Sequence, residues 1–235
     1  MENENTNENA GKKSYAVPIA ILVAGLAVAG AIAFRPDSGG SDSANIAKDG
    51  GTPTVERTAI TADDDPVLGN PDATVTFINF GDFRCRYCKL FQETIKPAIM
   101  EKYVKTGKVK YVYRDLITMG DNSILAAGGA NCAGEQGKYW EFADMLHSGE
   151  GGHSAVYTED SLSGIAVSLG LDAEKFKQCL RSGEYVKEVK KDTEDARAAG
   201  ATGTPTVFIN GRIIVGLASL GEYERIIDEE LAKGK

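Results

Sequence analysis

The longest apolar run of the chain lies near its amino terminus. Residues 15–34 contain no charged side chain; two lysines precede them and Arg35 follows. A helix of about 20 residues crosses the hydrocarbon core of a bilayer, and lysines on the amino side favour a cytoplasmic amino terminus. We therefore expect residues 1–14 to form a cytoplasmic tail and residues 15–34 a transmembrane signal anchor. Cleavage of a signal peptide near Ala33 is the alternative.

A polar segment rich in Gly, Ser, Asp and Thr follows the apolar run. Residues 35–65 contain few large apolar side chains, which indicates a flexible linker. Regular patterns of apolar residues begin near Pro66. We expect one folded domain at residues 66–235, which the linker holds away from the membrane.

Four short runs of β-branched and aromatic residues predict β-strands. Thr74–Phe80 is bounded by turn residues on both sides, which predicts a buried central strand. Lys108–Tyr113 alternates polar and apolar positions, as a strand with one buried face does. Thr206–Ile209 and Arg212–Val215 are separated by an Asn-Gly pair, which favours a two-residue hairpin turn.

The remaining segments show helical periodicity. Apolar residues recur at helical spacing from residue 85 to 105, and a kink is expected at Pro97. The long segment 122–200 contains only helical patterns, and Ser219 begins a last amphipathic helix. The order strand, helix, strand, helical block, hairpin and helix predicts an α/β domain with a helical insertion at about residues 116–200.

Charge and cysteine content narrow the class of protein. The chain has 26 basic and 34 acidic side chains and no basic block, which argues against nucleic acid as a partner. Its four cysteines are too few for a small scaffold held together by disulfides. We therefore infer the role of each cysteine pair from its spacing in the sequence.

A C-x-x-C motif, Cys85-Arg86-Tyr87-Cys88, lies where the first predicted strand meets the following helix. Backbone N–H groups and the positive end of the helix dipole stabilise a thiolate at such a position. We expect Cys85, the more exposed cysteine at the helix start, to be the nucleophile and Cys88 the resolving thiol. Half of a zinc site and a purely structural disulfide are the alternatives.

A proline directly precedes the third predicted strand, in the segment Gly203-Thr204-Pro205-Thr206. Proline is tolerated at the start of a strand, and a cis bond there would turn the chain sharply toward the C-x-x-C motif. A trans proline that merely begins a strand is the alternative that this segment leaves open.

Four separated segments together resemble the DsbA-like branch of the thioredoxin superfamily. They are LGNPDATVTFINFGDFRCRYCKLF, NCAGEQGKYWEF, LGLDAEKFKQCL and ATGTPTVFING. The resemblance covers about residues 66–233 and implies a thioredoxin-like fold with a helical insertion. It also implies that Pro205 is a cis-proline beside the reactive disulfide and that Thr204 contacts a client chain through its backbone.

The residues between the two cysteines depart from the best-known oxidases of that family. Those enzymes have Pro-His, whereas this chain has Arg86-Tyr87. One source of thiolate stabilisation is therefore missing. Arg86 replaces part of its charge, and the nearby Asp82 opposes it.

Two further cysteines, Cys132 and Cys179, lie in the predicted helical insertion. In an exported domain they are candidates for a structural disulfide, which would contribute about 4 kcal/mol in the chain-entropy model. Two inert buried thiols and a second redox relay are the alternatives. His147 and His153 lie in or beside a Gly-rich stretch, where we expect surface-loop residues, with a metal role as the alternative.

These observations and the resemblance predict an extracytoplasmic thiol-disulfide oxidoreductase on the periplasmic or cell-wall side of a membrane. We expect it to donate the Cys85–Cys88 disulfide to reduced or misoxidised exported proteins through a mixed disulfide, without a metal or organic cofactor. The resemblance implies reoxidation by a quinone-linked membrane partner. A monomer is expected, because no dimerisation segment is evident. A disulfide reductase or isomerase and a non-catalytic tethered peptide-binding module are the alternatives.

Overall fold

A five-stranded sheet organises the part of the chain that a computed structural model describes, residues 58–149 and 156–234. The strands are β1 (Val67–Leu68), β2 (Val75–Gly81), β3 (Val109–Asp115), β4 (Thr206–Ile209) and β5 (Arg212–Val215). Their order in the sheet is β1-β3-β2-β4-β5. β2 and β3 are parallel, and the other neighbouring pairs are antiparallel.

Helices pack around this sheet. They are α1 (Arg86–Thr94), α2 (Lys96–Ile99), a π-helical segment (Met100–Val104), α3 (Asp121–Gly134), α4 (Tyr139–Ser148), α5 (Glu159–Ser168), α6 (Ala173–Ser182), α7 (Val186–Ala198) and α8 (Leu220–Lys233). Helices α3 to α7 lie between β3 and β4, and they form the predicted helical insertion. Pro97 is in the first turn of α2, where its missing N–H would have no helical partner. The expected kink is therefore a break between α1 and α2.

Local sequence signals predicted the carboxyl-terminal part of the domain correctly. The hairpin of β4 and β5 turns at Asn210 and Gly211, whose φ angles are 47° and 81°, as a primed two-residue turn requires. The side chain of Ser219 accepts a hydrogen bond of 3.3 Å from the N–H of Glu222 at the start of α8. This cap satisfies one of the backbone donors that a helix start leaves unpaired.

Apolar clusters cover both faces of the sheet. Phe77 on β2 packs against Phe91 of α1 and Tyr223 of α8, with ring centroids 6.2 and 5.9 Å apart. Ile78 and Phe80 point to the opposite face, as alternate residues of a strand do. They belong to a second cluster, which includes Ala196 of α7. β2 is therefore buried on both faces, as its composition predicts.

Residues 58–65 pack against the domain, although the sequence pattern assigned them to the linker. Ile60 and Ala62 contact the second apolar cluster. The N–H of Thr58 donates a hydrogen bond of 3.1 Å to the carbonyl oxygen of Gly211. The folded domain therefore includes these residues, and not only those from Pro66 onward.

A buried arginine explains why this polar segment is held in place. Arg114 on β3 is 1% exposed, and its guanidinium donates to the carbonyl oxygen of Thr61 at 3.2 Å. It also lies 2.7 Å from a side-chain oxygen of Asp65, 3.0 Å from a carboxylate oxygen of Asp195, and against Asp192 of α7. A buried cation requires such acceptors, and the segment before β1 supplies two of them.

The predicted tail and membrane anchor, residues 1–14 and 15–34, lie outside the described residues. Among the helices of residues 58–149 and 156–234, none combines the length and the apolar character that crossing a bilayer requires. The anchor therefore stays a prediction.

Candidate active site

The C-x-x-C motif lies at the edge of the sheet where β2 and β3 end. Gly81 pairs with Asp115, and the carboxyl ends of these parallel strands therefore meet. Cys85 has extended backbone angles, φ −77° and ψ 121°, and is the N-cap of α1. Its N–H donates to the carbonyl oxygen of Asp82 at 2.9 Å. This turn sets the thiol of Cys85 beside the unpaired N–H groups of the first helical turn.

The two cysteines of the motif differ in accessibility. Both are free thiols, and Cys85 is 8% exposed whereas Cys88 is 1% exposed. An approaching sulfur can reach Cys85 from solvent more readily than Cys88. Accessibility therefore agrees with the nucleophilic role that the sequence predicts for Cys85.

Hydrogen bonds lower the pKa of the Cys85 thiol to about 6. The largest cause is the side chain of Cys88, and smaller contributions come from the side chain of Thr204 and the backbone N–H groups of Cys88 and Tyr87; burial acts in the opposite direction. A thiol with this pKa is roughly 90% thiolate at pH 7. Cys85 is thus ionised under ordinary conditions.

The pKa of the Cys88 thiol is shifted in the opposite direction. Burial raises the pKa of its thiol well above the usual range, and its hydrogen bond to Cys85 adds to the shift. The reduced pair therefore consists of a thiolate at Cys85 and a protonated donor at Cys88. In thiol-disulfide exchange the thiol of lower pKa is the one present as a thiolate and the better leaving group, and here that thiol is Cys85.

Thr204 and Pro205 lie against the C-x-x-C motif, although 119 positions separate Thr204 from Cys85. The sulfur of Cys85 lies 3.4 Å from the carbonyl oxygen of Thr204. The peptide bond between Thr204 and Pro205 is cis, and the carbonyl oxygen of Pro205 accepts a 2.7 Å hydrogen bond from the N–H of Gly216. The fold thus brings together the two motifs that the sequence indicated separately.

Asp82 organises the loop beside the two cysteines, a role that the sequence did not suggest. One carboxylate oxygen accepts from the N–H of Arg84 at 2.9 Å. The other accepts from the N–H groups of Thr118 and Met119 at 2.8 and 2.9 Å. Thr118 in turn lies 3.3 Å from the hydroxyl of Thr204, oxygen to oxygen. An aspartate directly after a buried strand, where it can bond to backbone two residues on, was the available signal.

The two residues between the cysteines point to solvent. Arg86 is exposed on the first turn of α1, and Tyr87 is 59% exposed. Within the described residues, no hydrogen bond or ion pair holds the guanidinium of Arg86. These side chains therefore form part of the surface that a partner of Cys85 would meet.

Cys132 and Cys179 form a disulfide that joins α3 to α6. Their Cα atoms are 5.8 Å apart and 47 positions separate them in the chain. Cys132 is fully buried, with 1% exposure. The bond lies inside the helical insertion and ties two of its helices together.

His147 is buried on α4, so the expectation of a surface loop is wrong for this residue. It is 3% exposed, and its ring packs against Phe83 and Tyr113 with centroids 4.8 and 5.9 Å away. Burial, with smaller effects of Lys96 and Lys89, lowers the pKa of His147 to about 3. It is therefore neutral at pH 7. His153 lies outside the described residues.

Metal-ligating groups do not converge in residues 58–149 and 156–234, where no cluster of three or more His, Cys, Asp or Glu side chains could hold a metal ion.

Comparisons with known proteins agree with this chemistry. The family model described as Thioredoxin matches residues 61–229. A probable disulfide bond formation protein D of Bacillus anthracis is 32% identical over 171 residues, which are 71% of this chain and 78% of that protein.

Solved structures give the same result. The oxidised BdbD of Bacillus subtilis has a TM-score of 0.68 and 28% identity, over 75% of this chain and 96% of that one. The alpha-DsbA1 of Wolbachia pipientis has a TM-score of 0.64 and 25% identity, over 74% of this chain and 94% of that one. The chain therefore belongs to the thioredoxin family and, within it, to the DsbA-like protein-disulfide oxidoreductases.

Proposed function

We propose that this enzyme is a membrane-anchored, extracytoplasmic disulfide donor. In this proposal the oxidised Cys85–Cys88 pair transfers its disulfide to exported proteins that contain reduced cysteines. The observation that supports it best is the asymmetry of the two thiols. Cys85 is the more accessible one and has a pKa of about 6, whereas burial and its hydrogen bond to Cys85 keep Cys88 protonated.

The transfer takes two exchange steps through a mixed disulfide. A client thiolate attacks the sulfur of Cys85, the Cys85–Cys88 bond breaks, and Cys88 leaves as a thiolate that takes up a proton. A second client thiolate then attacks the client sulfur of the mixed disulfide, and Cys85 leaves. Two electrons pass from the client to the pair. One client proton remains on Cys88, and the other goes to solvent while Cys85 stays a thiolate.

Stabilisation of the Cys85 thiolate supports the direction of donation. The hydrogen bond from Cys88 to Cys85 exists only after the bond between them has broken, so it stabilises the reduced enzyme. A stabilised reduced form makes the oxidised form a stronger oxidant. A low pKa also makes Cys85 a good leaving group in the second step.

The backbone at Thr204 supports contact with an extended client segment. Its carbonyl oxygen lies 3.4 Å from the sulfur of Cys85, immediately before β4. An extended peptide placed there would add main-chain hydrogen bonds in the manner of β-strand addition. We propose that Thr204 and Pro205 hold the client cysteine in reach of Cys85.

The cellular setting of the proposal rests on the sequence and on the relatives. Residues 15–34 would anchor the chain, and the polar segment after them would hold the domain on the outer side of the membrane. A quinone-linked membrane partner would remove the two electrons and restore the disulfide. The enzyme would act as a monomer without a cofactor.

The reduction potential of the Cys85–Cys88 pair tests the direction of transfer. Full-length protein in detergent is equilibrated with glutathione buffers, quenched with acid and alkylated, and the peptide that contains both cysteines is quantified by mass spectrometry. A potential near the roughly −120 mV of DsbA supports donation. A potential near the roughly −270 mV of thioredoxin would overturn it in favour of a reductase.

Trapping tests the mixed disulfide itself. A Cys88→Ser variant cannot resolve the intermediate, and it should accumulate covalent adducts with reduced client proteins. A Cys85→Ser variant is the matched control and should form none. A non-catalytic peptide-binding module would give no adduct with either variant.

A further inference from the structure

Arg86 places a positive charge on the surface next to Cys85. Arg86 is exposed, and within the described residues no partner holds its guanidinium. The first turn of α1 contains no acidic residue. Lys89, one turn on, donates instead to the carbonyl oxygen of Gly149 at 3.1 Å. Among residues 58–149 and 156–234, nothing therefore neutralises the charge of Arg86.

We propose that Arg86 selects client cysteines that are flanked by acidic residues. The inference rests on the proposed disulfide donation and names the class of substrate that the site favours, a polypeptide with a carboxylate next to the cysteine that attacks Cys85.

The geometry of a mixed disulfide brings such a carboxylate close to Arg86. Arg86 follows Cys85 directly, so their Cα atoms are about 3.8 Å apart. In a client segment that lies extended beside Thr204, the Cα atoms of the residues before and after the cysteine are likewise about 3.8 Å from the Cα atom of the cysteine. A Glu or Asp side chain at these positions can reach the guanidinium, which binds carboxylates through two parallel N–H donors.

Apolar neighbours strengthen this contact. Tyr87 is 59% exposed and Leu90 is 39% exposed, and Leu90 lies four positions after Arg86 on the same face of α1. A client that covers these side chains removes water from around the ion pair. The attraction between the two charges then acts in a medium of lower dielectric constant.

The charge of the whole protein distinguishes local recognition from long-range steering. The chain has a net charge of −8, which by itself repels acidic clients. At about 0.15 M salt, exposed charges beyond about 8 Å are screened. A preference for acidic clients at that ionic strength must therefore come from groups beside Cys85.

Arg86 can be replaced without removing the groups that stabilise the thiolate of Cys85. The main causes of the lowered pKa of Cys85 are hydrogen bonds from Cys88, Thr204 and the backbone, and Arg86 is not among them. Replacing it should therefore change the choice of substrate more than the reactivity of the sulfur.

The test compares three synthetic peptides, each with two cysteines flanked on both sides by Glu, Gln or Lys. Their oxidation by the oxidised full-length protein is followed at about 0.15 M salt. Flanking charges also change the reactivity of the peptide thiol, so each rate is divided by the rate of the same peptide with the uncharged 2-hydroxyethyl disulfide. The normalised rate of the wild-type protein should be about threefold to tenfold higher for the Glu peptide than for the Lys peptide. This is the size of effect that a single exposed ion pair at the rim of an interface produces.

Variants assign the preference to Arg86. Arg86→Lys should keep it, Arg86→Gln should reduce the ratio to about one, and Arg86→Glu should invert it, as opposite and like charges require. Lys108→Gln is the matched control, because Lys108 precedes β3 at the opposite end of the sheet and carries the same charge change. It should keep the wild-type ratio. At about 1 M salt the ratio should fall toward one for every protein.

Equal normalised rates for the Glu and Lys peptides would overturn this inference and leave disulfide donation intact. An unchanged ratio in Arg86→Gln would do the same. Failure of the wild-type protein to oxidise any of the three peptides would overturn the proposed function and the inference together.

Discussion

Replacing Cys88 with alanine removes the donor that most strongly stabilises the thiolate of Cys85. The hydrogen bond from Cys88 is the largest cause of the lowered pKa of Cys85, which is about 6. A hydrogen bond to a charged group contributes about 1.5–3 kcal/mol, and one pKa unit corresponds to about 1.4 kcal/mol. The pKa of Cys85 should therefore rise by about one to two units. At pH 7 the thiolate fraction would fall from roughly 90% to between roughly 10% and 50%.

The ultraviolet absorbance of the thiolate, recorded against pH, measures this change in Cys88→Ala. The rate of alkylation by iodoacetamide gives an independent value. Cys88→Ser is the matched control: its hydroxyl keeps a donor at the same place, so the pKa of Cys85 should stay near that of the reduced wild-type protein. A value of about 6 in Cys88→Ala as well would refute the reasoning. It would mean that the side chain of Thr204 and the N–H groups of the first turn of α1 account for the shift without a donor at position 88.

Three further predictions concern stability, measured by urea unfolding. Asp82→Asn should lower the free energy of unfolding by about 3 kcal/mol, because the N–H groups of Thr118 and Met119 lose a carboxylate acceptor. A loss below about 0.5 kcal/mol, which is the range of ordinary surface changes, would contradict the role of Asp82 in organising the loop. The double variant Cys132→Ala and Cys179→Ala should lower the free energy of unfolding by about 4 kcal/mol in the chain-entropy model. Reduction of this disulfide in the wild-type protein should lower it by a similar amount. Burial, with the charge of Asp192, raises the pKa of Asp65 to about 9, so the folded state keeps a proton that the unfolded chain loses above about pH 4. Stability should therefore fall as pH rises from about 4 to 9, by at most about 1.4 kcal/mol per unit, and Asp65→Asn should flatten this slope; an unchanged slope would place the proton elsewhere.

Signals contained in a few neighbouring residues were predicted correctly. The turn at Asn210 and Gly211 needs two residues that tolerate positive φ, and no other pair in that region offers them. The cap at Ser219 depends only on residues within one helical turn. The position of Cys85 at a helix start follows from the change from strand composition to helical periodicity around it. Such features need no knowledge of the rest of the fold.

Roles that depend on distant partners were not predicted. Asp82 was expected only to oppose nearby positive charge, yet it accepts hydrogen bonds from backbone 36 and 37 positions later. His147 was expected in a surface loop, yet α4 directs it between Phe83 and Tyr113. Residues 58–65 have a linker composition, yet they pack against the domain, where Thr61 supplies an acceptor to the guanidinium of Arg114.

The sequence by itself determined the alternation of strands and helices, the place of the reactive pair and the resemblance that links it to Pro205, because periodicity, caps and motifs are local properties. Only the tertiary structure decided how the two sulfurs differ. Cys88 is buried and donates to Cys85, and the carbonyl of Thr204 is 3.4 Å from Cys85, because packing on both faces of the sheet brings β4 beside β2. Local sequence patterns identify which side chains can react, whereas burial and hydrogen bonds between distant segments set the pKa values of those side chains.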